Sequence, residues 1–251
     1  MLVMGILNLT PDSFADGGRY NSFEAAVERG RAMIAEGVDI IDIGGESTRP
    51  GAERVSEAEE LARVIPVISE LAKDGVRISI DTMRADTALA AIDAGAQIIN
   101  DVSGGLADPL MLKIAAELKA PYIAMHWRGA SKDMNSRAIY DDVVRDVICE
   151  LQERISAARD AGITKENLII DPGIGFAKDA DHNWAIIDQI DEFVALGYPV
   201  LIGGSRKRFL GGDSPDRREA ASIALTKRLS TSGIWGVRVH SVKPHKDVLS
   251  T

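Results

Sequence analysis

Eight short apolar runs recur along the chain, and nearly every one ends in a side chain that can do chemistry. Val3-Met4-Gly5-Ile6-Leu7 stops at Asn8, Ile40-Ile41-Asp42-Ile43 leads into Gly44-Gly45-Glu46, Ile78-Ser79-Ile80 stops at Asp81, and Ile98-Ile99 stops at Asn100-Asp101. Tyr122-Ile123-Ala124-Met125 stops at His126, Leu168-Ile169-Ile170 at Asp171 and Val237-Arg238-Val239 at His240, while Val200-Leu201-Ile202 passes through Gly203-Gly204 to Ser205 and Lys207. Apolar runs this short predict strands. Between them the spacing turns helical, as at Leu61, Val64, Ile65, Ile68 and Leu71. Helices are predicted over about 22–36, 56–73, 84–94, 108–118, 139–161, 181–195 and 216–231, the first capped by Ser22.

Strict alternation of strand and helix implies a parallel sheet. Eight units favour closure into an α/β (β/α)8 TIM barrel, and 251 residues match the usual size of about 250 for that fold. Eleven residues follow His240, so the eighth helix is expected to be shortened. No linker or low-complexity tract divides residues 1–251, which are read as one domain. In such a barrel the active site lies at the C-terminal ends of the strands, where these polar residues fall. Two loops, roughly 9–21 and 44–55, exceed what connection requires and lie on that face, so they are expected to be functional.

The net charge of −9 argues against a nucleic-acid surface, which needs cations to neutralise phosphates. It leaves room for a small anionic substrate in a locally basic cleft. The single cysteine, Cys149, excludes an intramolecular disulfide and is expected to be a small core residue. No apolar run reaches membrane-span length and no signal-peptide pattern is present, so a cytoplasmic location is expected. The four histidines (126, 182, 240 and 245) lack zinc-like spacing. His182 and His245 are expected on the surface, whereas Asn8 and Asp12 are oxygen donors suited to Mg²⁺.

Arg238 and His240 are two apart on one strand and share a face. Such a cation pair suits a phosphate or diphosphate; a salt bridge from Arg238 to a barrel carboxylate such as Asp42 fits the spacing equally well. Asp81, Asn100 and Asp171 end three strands. A carboxylate could take an N–C–NH2 edge of a heterocycle and Asn100 its mixed donor–acceptor edge, or the two aspartates could cap the segments that follow. Three such residues together favour a ligand pocket. Lys207 adds a cation, Phe176 on its Gly-rich loop could stack on a planar ligand, and Met125 could floor the pocket. Arg206 and Arg208 are expected to be solvated or salt-bridged.

At this point the motifs resemble a known family. Gly5-Ile6-Leu7-Asn8-Leu9-Thr10-Pro11-Asp12-Ser13-Phe14-Ala15-Asp16-Gly17-Gly18 is similar to the first signature of the dihydropteroate synthases, and Asp42-Ile43-Gly44-Gly45-Glu46-Ser47-Thr48-Arg49-Pro50-Gly51-Ala52 to the second. Ser79-Ile80-Asp81-Thr82, Ile99-Asn100-Asp101-Val102-Ser103-Gly104-Gly105, Asp171-Pro172-Gly173-Ile174-Gly175-Phe176, Ser205-Arg206-Lys207-Arg208-Phe209-Leu210-Gly211 and Arg238-Val239-His240 continue the likeness in order. The stretches Met125-His126-Trp127-Arg128 and Phe176-Ala177-Lys178 look most like the actinobacterial branch.

The resemblance implies an SN1-like condensation of 6-hydroxymethyl-7,8-dihydropterin diphosphate with 4-aminobenzoate, yielding 7,8-dihydropteroate and diphosphate. It implies that Asp81, Asn100, Asp171 and Lys207 hold the pterin above Met125. Asn8 with Mg²⁺, Arg238 and His240 would hold the diphosphate, and Thr48, Arg49, Pro50, Phe176 and Ser205 the aminobenzoate, where sulfonamides would compete. Asn8, Asp81, Lys207, Arg238 and His240 would carry the catalysis. The likeness departs at Ser241, where the family usually has Asp and where the residue could cap the last helix. It departs also at Ala177, in place of a common Gly, and at the short C-terminal end, which bears on a possible homodimer. A non-catalytic pterin-binding paralogue, or a pterin-dependent methyltransferase domain, is the alternative.

Overall fold

In the computed structural model, which describes residues 1–9, 18–46, 55–129 and 134–250, alternating sequence becomes alternating structure. The strands are β1 (Leu2–Asn8), β2 (Ile40–Gly44), β3 (Arg77–Asp81), β4 (Ile98–Asp101), β5 (Tyr122–Met125), β6 (Leu168–Asp171), β7 (Leu201–Ile202) and β8 (Gly236–Val239). All pair in parallel, in the order β6-β5-β4-β3-β2-β1-β8-β7. A bridge between Ile170 and Val200 joins the two ends and closes the barrel. The intervening helices are α1 (Gly18–Ala35), α2 (Glu57–Leu71), α3 (Ala85–Asp93), α4 (Met111–Leu118), α5 (Val143–Asp160), α6 (Ala180–Asp188), α7 (Ile190–Val194), α8 (Glu219–Leu229) and α9 (Lys243–Leu249). No described helix is long and apolar enough to cross a membrane.

Strand periodicity sorts the side chains into two cores. One set faces outward to the helices, with Ile41, Ile43, Ile78, Ile80, Val237 and Val239 packing on helix residues such as Val64, Ile68 and Leu71. The other set fills the lumen: Met4, Ile40, Ile98, Ile123, Ile169 and Leu201. Two residues further along, the inward positions become Asp42, Asn100, Met125, Asp171 and Gly203; Ser79 pairs with Asp42, and Arg238, paired with Met4, extends its side chain to Asp42 and Asp81. The lumen is therefore apolar at its base and polar at its C-terminal mouth.

Several boundaries differ from expectation for local reasons. The first helix starts at Gly18, which places Ser22 within it rather than at its cap. The fifth starts at Val143 because Asp142 caps it, accepting from Val144 N and Arg145 N. The segment 181–195 breaks at Gln189 (φ −115°, ψ 31°) into α6 and α7. Cys149 is exposed, a correction to its expected burial: α5 buries Val143, Val144, Val147, Leu151, Ile155 and Ala158, a stripe that skips 149.

His245 is likewise not a surface residue. It is fully buried on α9, with Nδ1 2.7 Å from the Thr226 hydroxyl of α8. Although α9 is short, Val242 and His245 bury completely against the barrel. Ser241 does not cap it; the helix begins after Val242 without a side-chain cap.

Candidate active site

Arg238 is the centre of the lumen mouth. Its Nε donates to Asp42 Oδ2 at 2.6 Å and its Nη2 to Asp81 Oδ2 at 2.6 Å. Asn100 Nδ2 donates to the same Asp42 oxygen at 3.1 Å. The spacing left two readings of Arg238 open, and the salt bridge to Asp42 is the one present. Asp42 is fully buried, and its Oδ1 and the nearby Ser79 Oγ have no hydrogen-bond partner among the described groups.

A buried carboxylate resists ionising unless cations compensate it. Asp81 is pushed up to about 7 by burial; Arg238 opposes the shift, and Asp42, Glu60 and Asp101 add to it. Asp81 does not cap the next helix, whose first N–H instead donates to Asp108. Its strand neighbour in register is Asn100.

Asp171 ends β6 opposite Met125 of β5. Its Oδ1 accepts Gly173 N at 2.7 Å, fastening the turn that follows. Burial raises its pKa against that hydrogen bond and against the charges of Lys207, Lys178 and Arg238. Gly203, where a side chain would stand 3.8 Å from Asp171 Oδ2 and 4.0 Å from Arg238 Cβ, keeps this corner open.

Lys207 reaches across from the loop after β7. Its Nζ donates to Ile174 O and lies 4.3 Å from the centre of the Phe176 ring. Burial, opposed by Asp171 and reinforced by Arg238, lowers its pKa to about 7. The approach requires Gly175, where a Cβ would stand 2.4 Å from the Lys207 chain.

The Ser205 hydroxyl lies 3.1 Å from His240 Nδ1 and accepts His240 N at 3.3 Å, linking the loop after β7 to the turn after β8. Arg206 is salt-bridged to Glu219 at 2.5 Å, as expected, although β7 ends at Ile202 and Arg206 lies in the turn that follows, at φ 58°. Asn8, half-buried, ends β1 level with Gly44. Its amide oxygen is a hard donor of the kind Mg²⁺ takes in ones and twos, with phosphates and water completing the shell. Among the described residues no three His, Cys, Asp or Glu side chains cluster as a metal site. Thr48, Arg49, Pro50 and Asp12 lie outside the described residues.

The structure thus gathers Asp81, Asn100, Met125, Asp171, Lys207 and Arg238 around one mouth, with Phe176, Ser205 and His240 on its rim loops. Sequence reasoning had Asp42 only as a counter-ion for Arg238; a charged residue inside an apolar strand run was the signal of its central place. Asp101, which also ends β4, points outward. It is consumed by Ser103 N, Ser103 Oγ, Gly105 N and the Tyr122 hydroxyl.

A family model described as pterin binding enzyme matches residues 4–240. The dihydropteroate synthase of Mycobacterium leprae is 48% identical over 257 residues, covering 98% of this chain and 90% of its own. That of Bacillus subtilis is 48% identical over 246 residues, covering 96% and 84%. The solved structure of the Xanthomonas albilineans dihydropteroate synthase with 4-aminobenzoic acid superposes with a TM-score of 0.93 at 44% identity, covering 99% of this chain and 90% of that one. With such identity sustained over nearly the whole of each chain, the protein belongs to the pterin-binding enzymes, as a member of the dihydropteroate synthases.

Proposed function

We propose that the chain joins 6-hydroxymethyl-7,8-dihydropterin diphosphate to 4-aminobenzoate, with the lumen mouth as the pterin site. The observation that carries this reading is the convergence of Asp81, Asn100 and Asp171 beside Lys207 in a buried setting. Carboxylates there can accept from the amino and ring N–H groups of the pterin, and Asn100 can both give and take. Met125, 3% exposed, forms an apolar floor.

Arg238 has five N–H donors. Two hold Asp42 and Asp81, and the remainder can meet a diphosphate. His240 joins it. The Ser205 hydroxyl is bonded to His240, and we place it with the diphosphate rather than with the aminobenzoate carboxylate. Asn8 would hold Mg²⁺, which when bound neutralises charge on the diphosphate.

Donors fixed where negative charge grows stabilise the transition state. As the methylene C–O bond breaks, its electron pair leaves with the diphosphate towards Arg238 and His240. The aniline lone pair then forms the C–N bond, and the nitrogen loses a proton. Phe176 walls the aminobenzoate; Thr48, Arg49 and Pro50, outside the described residues, would contribute to its binding. A cytoplasmic enzyme acting on these small molecules, with a possible homodimer, completes the reading. Diphosphate release measured with Mg²⁺, with and without 4-aminobenzoate, tests it: release that depends on aminobenzoate and yields dihydropteroate supports it. Pterin binding without release would favour a non-catalytic pterin protein.

A further inference from the structure

We propose that Lys178 is a positioning residue that sets the loop carrying Phe176, and through it the affinity for aminobenzoate. The inference rests on the placement of Phe176 in that subsite.

The loop after β6 is contorted. Gly173 (φ 70°), Gly175 (φ 78°) and Ala177 (φ 47°) all adopt left-handed backbone, the last at a cost that Gly would avoid. A loop of this shape persists only when its surroundings over-determine it. Lys178, only 9% exposed, supplies the fastening. Its Nζ donates to Gly173 O at 3.1 Å and to Phe176 O at 3.1 Å, and lies 2.9 Å from His126 Nδ1. An ammonium has three hydrogens and no acceptor. When Lys178 is protonated all three are directed at protein atoms, so it shapes the site without a donor left for substrate. His126 Nδ1 accepts, and the ring proton therefore sits on Nε2.

That proton faces Glu150 Oε2 at 2.9 Å. Glu150 also takes Arg128 Nε at 3.0 Å and Nη2 at 2.5 Å. The Arg128 guanidinium lies 3.8 Å from the centre of the Tyr140 ring, and the Tyr140 hydroxyl donates to Ala177 O at 3.0 Å. The chain of contacts thus leaves the loop at Lys178 and returns to it at Ala177. It fixes the two peptide units that follow Phe176, through the carbonyls of Phe176 and Ala177. His126 is held neutral, its pKa lowered to about 4 by burial and by the Lys178 charge, which suits an acceptor for an ammonium.

Steady-state kinetics on three variants of the full chain test the proposal. Phe176→Ala should raise KM for 4-aminobenzoate roughly tenfold, the loss of about 1.4 kcal/mol of aromatic contact. Lys178→Met should raise the same KM by a comparable factor while KM for the pterin diphosphate changes less than about twofold, a split that general loosening of the fold would not give. Tyr140→Phe, which deletes only the hydroxyl at Ala177 O, should move KM for 4-aminobenzoate in the same direction by a smaller factor, and it decides the matter if Lys178→Met fails to fold. If Phe176→Ala raises that KM and the other two variants leave it unchanged, the proposal is overturned while the subsite stands. If Phe176→Ala itself has no effect, the subsite placement fails and the proposal with it.

Discussion

The Ser241 hydroxyl donates to Glu219 Oε1, and the other oxygen of the same carboxylate accepts Arg206 Nε at 2.5 Å. Glu219 therefore stands where the turn after β8 meets the loop after β7. Ser241, where the resemblance to the dihydropteroate synthases implies Asp, faces a carboxylate supplied by α8. Adding a second one there should be harmful. Ser241→Asp is expected to destabilise the protein by about 1 to 2 kcal/mol at neutral pH through like-charge contact, and Glu219→Gln in the same chain should recover most of the loss. Thermal unfolding of the two single variants, the double variant and the parent measures the coupling. Simple addition of the two losses would show that the carboxylates do not meet.

Arg238 is more deeply committed. It compensates Asp42 and Asp81 together, and both are buried. Removing one partner of a buried ion pair costs about 3 to 5 kcal/mol because a charge is left unpaired. Arg238→Met should approach that loss, and Asp42→Asn added to it should return part, since one uncompensated carboxylate disappears. Urea midpoints with an unchanged m-value check this. A double variant less stable than Arg238→Met would contradict the account.

The pH profile carries two signs. Asp81 titrates at about 7 in the fold, raised mainly by burial, against 3.8 as its ordinary value. Between those limits the folded protein holds a proton that the unfolded chain has released, so Asp81 makes stability fall as pH rises from about 4 to about 7. Lys178 and Lys207 are lowered to about 7, mainly by burial. Above that pH the unfolded chain holds protons that the folded one has lost, so the lysines make stability rise towards about 10. Activity should follow the opposite shape. Pterin capture needs Asp81 ionised and Lys207 charged, which gives kcat/KM a narrow maximum near neutrality. Asp81→Asn should flatten the acid limb and Lys207→Arg the alkaline limb, whatever each does to the absolute rate. A limb unchanged in its variant would assign that titration elsewhere.

The strand ends were legible because a period of two leaves no choice of face: once Met4, Ile40 and Ile98 fill the lumen, Asp42 and Asn100 must stand above them. The same logic, at a helical period, would have placed Cys149 outside. It was missed because Val147-Ile148 suggests an apolar patch in linear sequence, whereas α5 buries only one stripe of its surface. His245 and Glu219 were illegible for a different reason. Their roles depend on α8 and α9 lying against each other, with His245 Nε2 3.6 Å from Glu219, and no local pattern encodes that contact. Lys178 shares this difficulty: its acceptors come from its own loop and from the residue after β5.

Gly173 lends itself to a test of how tightly the β6 loop is seated. Its φ of 70° resembles the 76° of Gly75, so the backbone cost of a side chain is similar at the two sites. The surroundings differ. A Cβ at Gly75 meets nothing within 4 Å, while one at Gly173 would stand 2.5 Å from the backbone oxygen of His126. Gly75→Ala should therefore lose only about 1 kcal/mol, the price of left-handed backbone. Gly173→Ala carries that loss and must also push β5 and the β6 loop apart, for a total above about 3 kcal/mol. Because His126 is the acceptor for Lys178, the displacement should also raise KM for 4-aminobenzoate. Equal melting temperatures for the two variants would mean that the loop can swing away from His126, contrary to the seating described for Lys178.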